Sequence, residues 1–188
     1  MYDRYLGLIF DMDGTILDTE HTHRLAWKQV LARRGMQYDP APLVALNGAP
    51  TWRIAEFIIA RHQLELDPHQ LAEEKTSLVM EMLLDTVTPL PLMDVVKHYH
   101  GRRPMAVGTG SRHAMAEQLL SHLGVRHYFD VIVGADDVEN HKPFPDTFLR
   151  CAELLQVAPQ DCVVFEDADF GIEAATRANM DVVDVRTL

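Results

Sequence analysis

Two aspartates separated by one residue follow the first apolar stretch of the chain. The run Leu6 to Phe10 is typical of a short buried strand, and Asp11 and Asp13 come directly after it. Residues i and i+2 of an extended chain point to the same side, so both carboxylates can approach one reacting atom, one as a nucleophile and one as a proton carrier. An acidic turn that ends at Gly14 fits a loop without chemistry equally well.

Three further predicted strands end in residues that suit a phosphate or a metal ion. The strand Met105 to Val107 is followed by Thr109-Gly110-Ser111, and the strand Val131 to Val133 is followed, after a loop, by Lys142. The strand Val163 to Phe165 is followed by Glu166-Asp167. Hydroxyl and backbone N–H groups bind anions, a lysine adds positive charge, and paired carboxylates bind hard cations such as Mg²⁺. Taken singly, Thr109 is an ordinary helix cap and Lys142 a solvated lysine. Taken together, these residues predict a metal-assisted phosphate site.

The order of these elements predicts an α/β fold with a doubly wound parallel sheet. Apolar strands that alternate with helices are typical of a sheet covered on both faces, whose ligands bind beyond the carboxyl ends of the strands. A fifth strand is predicted at Val182 to Val185, and helices are predicted at Ala114 to Leu123, Pro145 to Leu155 and Phe170 to Asn179. The polar strand ends are therefore expected to open onto one crevice.

A long stretch after the first strand departs from this alternation. From about residue 19 to residue 85 the pattern indicates no strand but three helices, at Arg24 to Arg34, Trp52 to His62 and Pro68 to Leu84. This length exceeds that of an ordinary crossover connection. We therefore expect a Rossmann-like core at residues 1–17 and 88–188, with an all-helical cap domain inserted at residues 18–87.

Composition narrows the range of partners. The 188-residue chain is 47% hydrophobic and 24% charged, and its formal net charge of −11 disfavours nucleic acid, which is bound by massed lysine and arginine. Its apolar runs are shorter than the roughly 20 residues of a membrane span, and no targeting segment is visible, so we expect no membrane partner and a cytoplasmic location. Cys151 and Cys162 lie among apolar residues and are expected to be buried thiols.

Four motifs, in order along nearly the whole chain, resemble those of the haloacid dehalogenase superfamily. They are DMDGT at 11–15, Thr109 at the end of the second predicted strand, Lys142 in HKPFPD, and FEDADFG at 165–171. The inserted helices resemble the C1 cap of this superfamily. The chain is most similar to the subgroup that contains β-phosphoglucomutase and its sugar-phosphatase relatives.

The resemblance implies a role for each strand end. Asp11 would attack phosphorus and form an aspartyl-phosphate, and Asp13 would act as general acid and then as general base. The resemblance also implies Mg²⁺ as cofactor, held by Asp11, the carbonyl of Asp13 and Asp167, with Glu166 nearby. The phosphoryl oxygens would be bound by Thr109, Gly110, Ser111 and Lys142.

The cap is expected to select the substrate. By resemblance its candidate substrate contacts are His23, Asn47, Thr51 and Arg53. Lys75 is a further candidate, as a cation that could bind phosphate together with Arg53, although arginine and lysine on helices are usually solvated. The mutases carry a lysine before the glycine of the cap loop and an arginine three residues after it, where this chain has Asn47 and Thr51. Thr15 matches the phosphatase form of the first motif, where the mutases have valine. The sequence thus predicts a phosphatase of small sugar phosphates, with fructose 1-phosphate as the leading substrate, acting as a monomer or weak dimer.

Three alternatives stay open on the residues alone. A phosphosugar mutase of the β-phosphoglucomutase type would use the same catalytic residues. A phospho-accepting receiver also has an acidic cluster, a threonine and a lysine on a similar sheet, but it has no large helical insertion. A dehalogenase would not need a second carboxylate at Asp13 or the pair Glu166 and Asp167. Phosphotransfer is therefore favoured.

Overall fold

A computed structural model describes residues 1–46 and 49–188 of the chain. The chain divides into two compact units, one formed by Met1–Asp18 and Thr88–Leu188 and the other by Thr19–Val87. The predicted domain boundaries, after residues 17 and 87, lie within one residue of this division.

The first unit is built on a parallel sheet. The strands are β1 Gly7–Phe10, β2 Leu17–Asp18, β3 Thr88–Pro89, β4 Met105–Gly108, β5 Val131–Val133, β6 Cys162–Glu166 and β7 Asp181–Asp184. Five of them form one sheet in the order β5-β4-β1-β6-β7, with every pair parallel. All residues of β1, β4 and β6 are buried, which explains why these strands are almost continuously apolar. The structure confirms the predicted α/β fold.

Helices connect the strands of the first unit, and further helices form the second unit. In chain order the helices are α1 Glu20–Ala32, α2 Thr51–His62, α3 Pro68–Thr86, α4 Met93–Tyr99, α5 His113–His122, α6 Asp146–Leu155 and α7 Asp169–Arg177. Phe148 and Cys151 of α6 and Ala174 of α7 pack with Ile9 of β1 in one buried apolar cluster. Cys151 and Cys162 are both free and buried, as predicted. This packing fixes the strand ends to which the polar residues are attached.

Within its described residues, the regular elements of the second unit are all helical, namely α1, α2, α3 and a short 3-10 segment at Ala41–Leu46. The start of α3 is set by Asp67, whose carboxylate accepts a hydrogen bond from the backbone N–H of His69 at 2.7 Å, and by Pro68 at the first helical position. The chain leaves and re-enters the first unit through β2 and β3, which pair antiparallel with Leu17 opposite Pro89. Among the helices described, none is both long enough and apolar enough to span a bilayer.

Candidate active site

Three carboxylates meet at the carboxyl ends of the two central strands. Asp11 follows β1, Glu166 is the last residue of β6, and Asp167 comes next. Because β1 and β6 are neighbours, with Phe10 opposite Phe165, these residues leave the sheet side by side. One carboxylate oxygen from each lies within 4.8 Å of the others. The structure therefore brings together the acidic residues of the first and fourth motifs.

A buried lysine joins two of these carboxylates. Lys142 Nζ donates hydrogen bonds to Oδ1 of Asp11 at 2.6 Å and to Oε2 of Glu166 at 2.7 Å. All three residues are at most 5% exposed. The Lys142 ammonium group also lies 4.7 Å from the centroid of the Phe148 ring. Lys142 is therefore part of this buried cluster, and the alternative of a solvated loop lysine is wrong.

Burial and the mutual interactions of these charged groups shift their pKa values. Burial and the charge of Glu166 raise the pKa of Asp11 well above its ordinary value, and burial raises the pKa of Glu166 as well. Burial and the charge of Asp11 raise the pKa of Asp167 to about 6. Burial alone would lower the pKa of Lys142, but the charges of Asp11 and Glu166 outweigh it and raise that pKa.

The cluster fits a divalent cation. Its three carboxylates face one ammonium group, so two negative charges are left without a counter-charge when all three are ionised. The donors are carboxylate oxygens, which are the ligands that Mg²⁺ prefers. One divalent ion bound between Asp11 and Asp167 would balance the charge and favour the ionised form of each carboxylate.

The turn of the first motif packs directly against this cluster. Gly14 has a φ of +81°, and a Cβ added to it would lie 2.4 Å from Oδ2 of Asp167. Both the positive φ and the close approach require glycine at this position. The hydroxyl of Thr15 donates to Oδ1 of Asp167 at 3.2 Å, so the motif also orients the acidic side chain.

The second carboxylate of the first motif points to the end of β4. Oδ2 of Asp13 accepts a hydrogen bond from Oγ of Ser111 at 2.9 Å and a longer one from Oγ1 of Thr109 at 3.3 Å. The backbone N–H of Ser111 donates to Oγ1 of Thr109 at 3.0 Å. Gly110 lies between them, and a Cβ added there would meet no atom within 4 Å. The structure thus places Thr109, Gly110 and Ser111 beside the proposed proton carrier.

Two of the predicted substrate residues of the helical unit form a buried pair. Lys75 is 3% exposed, its Nζ lies 2.7 Å from Nδ1 of His23, and it is 5.9 Å from the centroid of the Trp27 ring. Arg53 instead is exposed, with its guanidinium 5.7 Å from the Trp52 ring.

One further predicted substrate residue lies at the start of α2. Thr51 is the first residue of this helix and is half-buried. Asn47 is outside the described residues.

One supporting residue was not predicted from the sequence. Gly171 lies in the first turn of α7, where an added Cβ would stand 1.9 Å from Oε2 of Glu166. Only glycine lets the buried Glu166 side chain lie across this turn. The sequence does contain a signal for this role. Glycine is unfavourable in helix interiors, so a glycine within a helical pattern, five residues after Glu166, indicates a close contact there.

The chain is similar to known proteins along nearly its whole length. A model of the haloacid dehalogenase-like hydrolase family matches residues 8–185. The fructose-1-phosphate phosphatase YqaB of Escherichia coli is 68% identical over 188 residues, the full length of both chains. The β-phosphoglucomutase of Bacillus subtilis is 30% identical over 187 residues, covering 95% of this chain and 82% of that one. The crystal structure of β-phosphoglucomutase from Clostridium difficile matches with a TM-score of 0.81 at 30% identity, over 95% of this chain and 83% of that one.

Proposed function

Because the chain belongs to the haloacid dehalogenase-like hydrolase family, we propose that it is a magnesium-dependent phosphatase of small sugar phosphates, with fructose 1-phosphate as its preferred substrate. The observation that carries this proposal is the buried cluster of Asp11, Lys142, Glu166 and Asp167, with Asp13 two residues after Asp11. The choice of sugar is supported by the 68% identity to the fructose-1-phosphate phosphatase of Escherichia coli.

The reaction proceeds in two transfers of the phosphoryl group. In the first, a carboxylate oxygen of Asp11 bonds to phosphorus, the bond from phosphorus to the sugar oxygen breaks, and protonated Asp13 gives its proton to that oxygen. In the second, water bonds to phosphorus and passes a proton to Asp13, and the bond from phosphorus to Asp11 breaks. Free sugar and inorganic phosphate leave, and both aspartates return to their initial states.

The positive groups of the site reduce the repulsion between Asp11 and a phosphate dianion. Mg²⁺ held by Asp11, Asp167 and the backbone carbonyl of Asp13, with Glu166 nearby, would supply most of this charge stabilisation. Lys142, which already contacts Asp11, would bind a phosphoryl oxygen, and Thr109 and the backbone N–H of Gly110 would bind others.

Hydrolysis rather than mutase activity is supported by the residues that would hold a second phosphate. A mutase must retain a sugar bisphosphate between two transfers, and this requires a cluster of cations. Thr51 stands where the mutases have arginine, and the guanidinium of Arg53 is exposed and lies 5.7 Å from the centroid of the Trp52 ring. His23 and Lys75 are the proposed sugar contacts of the helical unit. One chain supplies all of these groups, so we expect a monomer to be active.

A screen of phosphorylated metabolites in the presence of Mg²⁺ tests the proposal. We expect phosphate release from fructose 1-phosphate to exceed that from other sugar phosphates, and the Asp11→Asn protein serves as the inactive control. A parallel assay supplies β-glucose 1-phosphate with a trace of the bisphosphate and follows glucose 6-phosphate and phosphate together. Formation of glucose 6-phosphate much faster than phosphate release from any sugar phosphate would replace the phosphatase with the mutase.

A further inference from the structure

The side chain of Ser111 donates to Asp13, and its backbone donates elsewhere in the same turn. Its hydroxyl lies 2.9 Å from Oδ2 of Asp13, and its backbone N–H donates to Oγ1 of Thr109 at 3.0 Å. A serine has one N–H and one O–H to donate. Both donors of Ser111 are therefore engaged within the protein, which leaves neither for a phosphoryl oxygen.

Thr109 is differently placed. Its hydroxyl also donates to Oδ2 of Asp13, but at 3.3 Å, which is beyond the usual 2.5–3.0 Å range of an O–H···O hydrogen bond. A hydroxyl carries one proton, so a Thr109 that donates to a phosphoryl oxygen can no longer donate to Asp13. When phosphate is bound, Ser111 is then the remaining hydroxyl of this pair that holds Asp13.

We propose that Ser111 is a positioning residue that holds the Asp13 carboxyl group for proton transfer, and that its side chain does not bind the phosphoryl group. This inference rests on the proposed function, in which Asp13 gives a proton to the sugar oxygen. The Ser111 backbone is held by the hydrogen bond from its N–H to Oγ1 of Thr109, two residues before α5 begins at His113. Proton transfer requires hydrogen-bond distance, so an Asp13 side chain without this contact reaches the leaving oxygen in fewer of its conformations.

The role makes the effect of Ser111 depend on the leaving group. A sugar alkoxide is a poor leaving group and needs the proton of Asp13, whereas p-nitrophenolate leaves without one. The ratio kcat/KM reports only steps up to the first phosphoryl transfer when that transfer is irreversible, so later hydrolysis of the aspartyl-phosphate does not enter. Comparing kcat/KM for the two substrates therefore isolates proton donation from binding of the phosphoryl group.

The test compares the wild-type enzyme with Ser111→Ala, Ser111→Thr and the control Ser121→Ala, which alters an exposed serine on α5. For Ser111→Ala we expect kcat/KM for fructose 1-phosphate to fall about 10- to 100-fold, part of the usual contribution of general acid catalysis. With p-nitrophenyl phosphate the fall should be less than about threefold, and inhibition by inorganic phosphate should be unchanged. Ser111→Thr keeps the hydroxyl and should restore most of the lost activity.

Two results would overturn the inference. One is an equal fall in kcat/KM for both substrates together with weaker inhibition by phosphate, which would make Ser111 a phosphate ligand. The other is a Ser111→Ala enzyme with wild-type activity on fructose 1-phosphate. The failure of the proposed function would look different. In that case the wild-type enzyme itself would hydrolyse p-nitrophenyl phosphate but no sugar phosphate.

Discussion

Replacing Gly171 by alanine is expected to reduce turnover much more than stability. The added Cβ would stand 1.9 Å from Oε2 and 2.0 Å from Cδ of Glu166, a separation that non-bonded atoms cannot keep, so Glu166 or the first turn of α7 must move. The Glu166 side chain is buried, and its Oε2 accepts the hydrogen bond from Lys142 at 2.7 Å. The movement breaks the contact that holds the proposed phosphate-binding lysine.

The two effects of this substitution differ in size. Overpacking costs about 1–3 kcal/mol, and alanine in a helix interior is about 0.5–1 kcal/mol better than glycine, so the free energy of unfolding should fall by at most about 2.5 kcal/mol. A hydrogen bond between charged groups contributes about 1.5–3 kcal/mol, which corresponds to a loss of about 10- to 150-fold in rate when the contact acts in the transition state. We therefore expect a folded enzyme whose kcat is lower by about 10- to 150-fold.

Urea unfolding and phosphate release from fructose 1-phosphate measure the two effects separately. Gly35→Ala is the matched control, because its added Cβ would meet no atom within 4 Å and only the φ of +69° opposes it. It should lower stability by about 1–2 kcal/mol and leave kcat unchanged. In a Glu166→Ala background the new methyl group displaces no carboxylate, so Gly171→Ala should change kcat less than about twofold. A folded Gly171→Ala enzyme with more than half of the wild-type kcat would refute this reasoning.

Three further perturbations test the same cluster. Asp11→Asn keeps the shape of the side chain but removes the nucleophile, so phosphate release should disappear while circular dichroism stays native; turnover in the folded variant would exclude Asp11 as the nucleophile. A chelator should abolish activity and Mg²⁺ should restore it and raise the Tm, because the carboxylates gain a counter-charge; full turnover without metal would contradict the proposed cofactor. Lys142→Ala leaves buried carboxylates without their ammonium group, so it should lower the free energy of unfolding by about 3–5 kcal/mol and remove most of the activity. The control Lys97→Ala removes a lysine from an exposed ion pair and should change the free energy of unfolding by less than about 0.5 kcal/mol.

The sequence predicts the positions of the strand ends better than the contacts made there. Apolar runs such as Leu6 to Phe10 end where a polar residue begins, and that boundary coincides with the end of β1 at Phe10. Long helical patterns such as Pro68 to Leu84 are equally visible, because one periodic face is repeated over several turns. Short helices and strands cannot be predicted from periodicity. The seven-residue helix α4 and the two-residue strands β2 and β3 contain too few residues to show a period.

Side-chain partners depend on tertiary structure in a way that no local pattern records. Lys142 is 131 residues from Asp11 along the chain, and its contact with Glu166 follows from the folding of a loop. The hydrogen bond between Ser111 and Asp13 likewise depends on the turn that Thr109 fixes before α5. Motif matching can assign such residues to a site, but it cannot assign each donor to an acceptor.

Burial distinguishes the lysines of the two units from ordinary surface charge. Most lysines are solvated. From the sequence alone, neither Lys75 on a helix nor Lys142 in a loop is therefore expected to have a functional role. Both are nevertheless at most 5% exposed, and each is within 2.7 Å of a polar partner, His23 for Lys75 and carboxylates for Lys142. Because removing an ammonium group from water costs several kcal/mol unless it is paired, a chain does not bury two of its lysines without compensation. For Lys142 the compensation comes from Asp11 and Glu166, so one set of contacts reduces the cost of burying the ammonium group and both carboxylates, and it holds the lysine beside the proposed nucleophile.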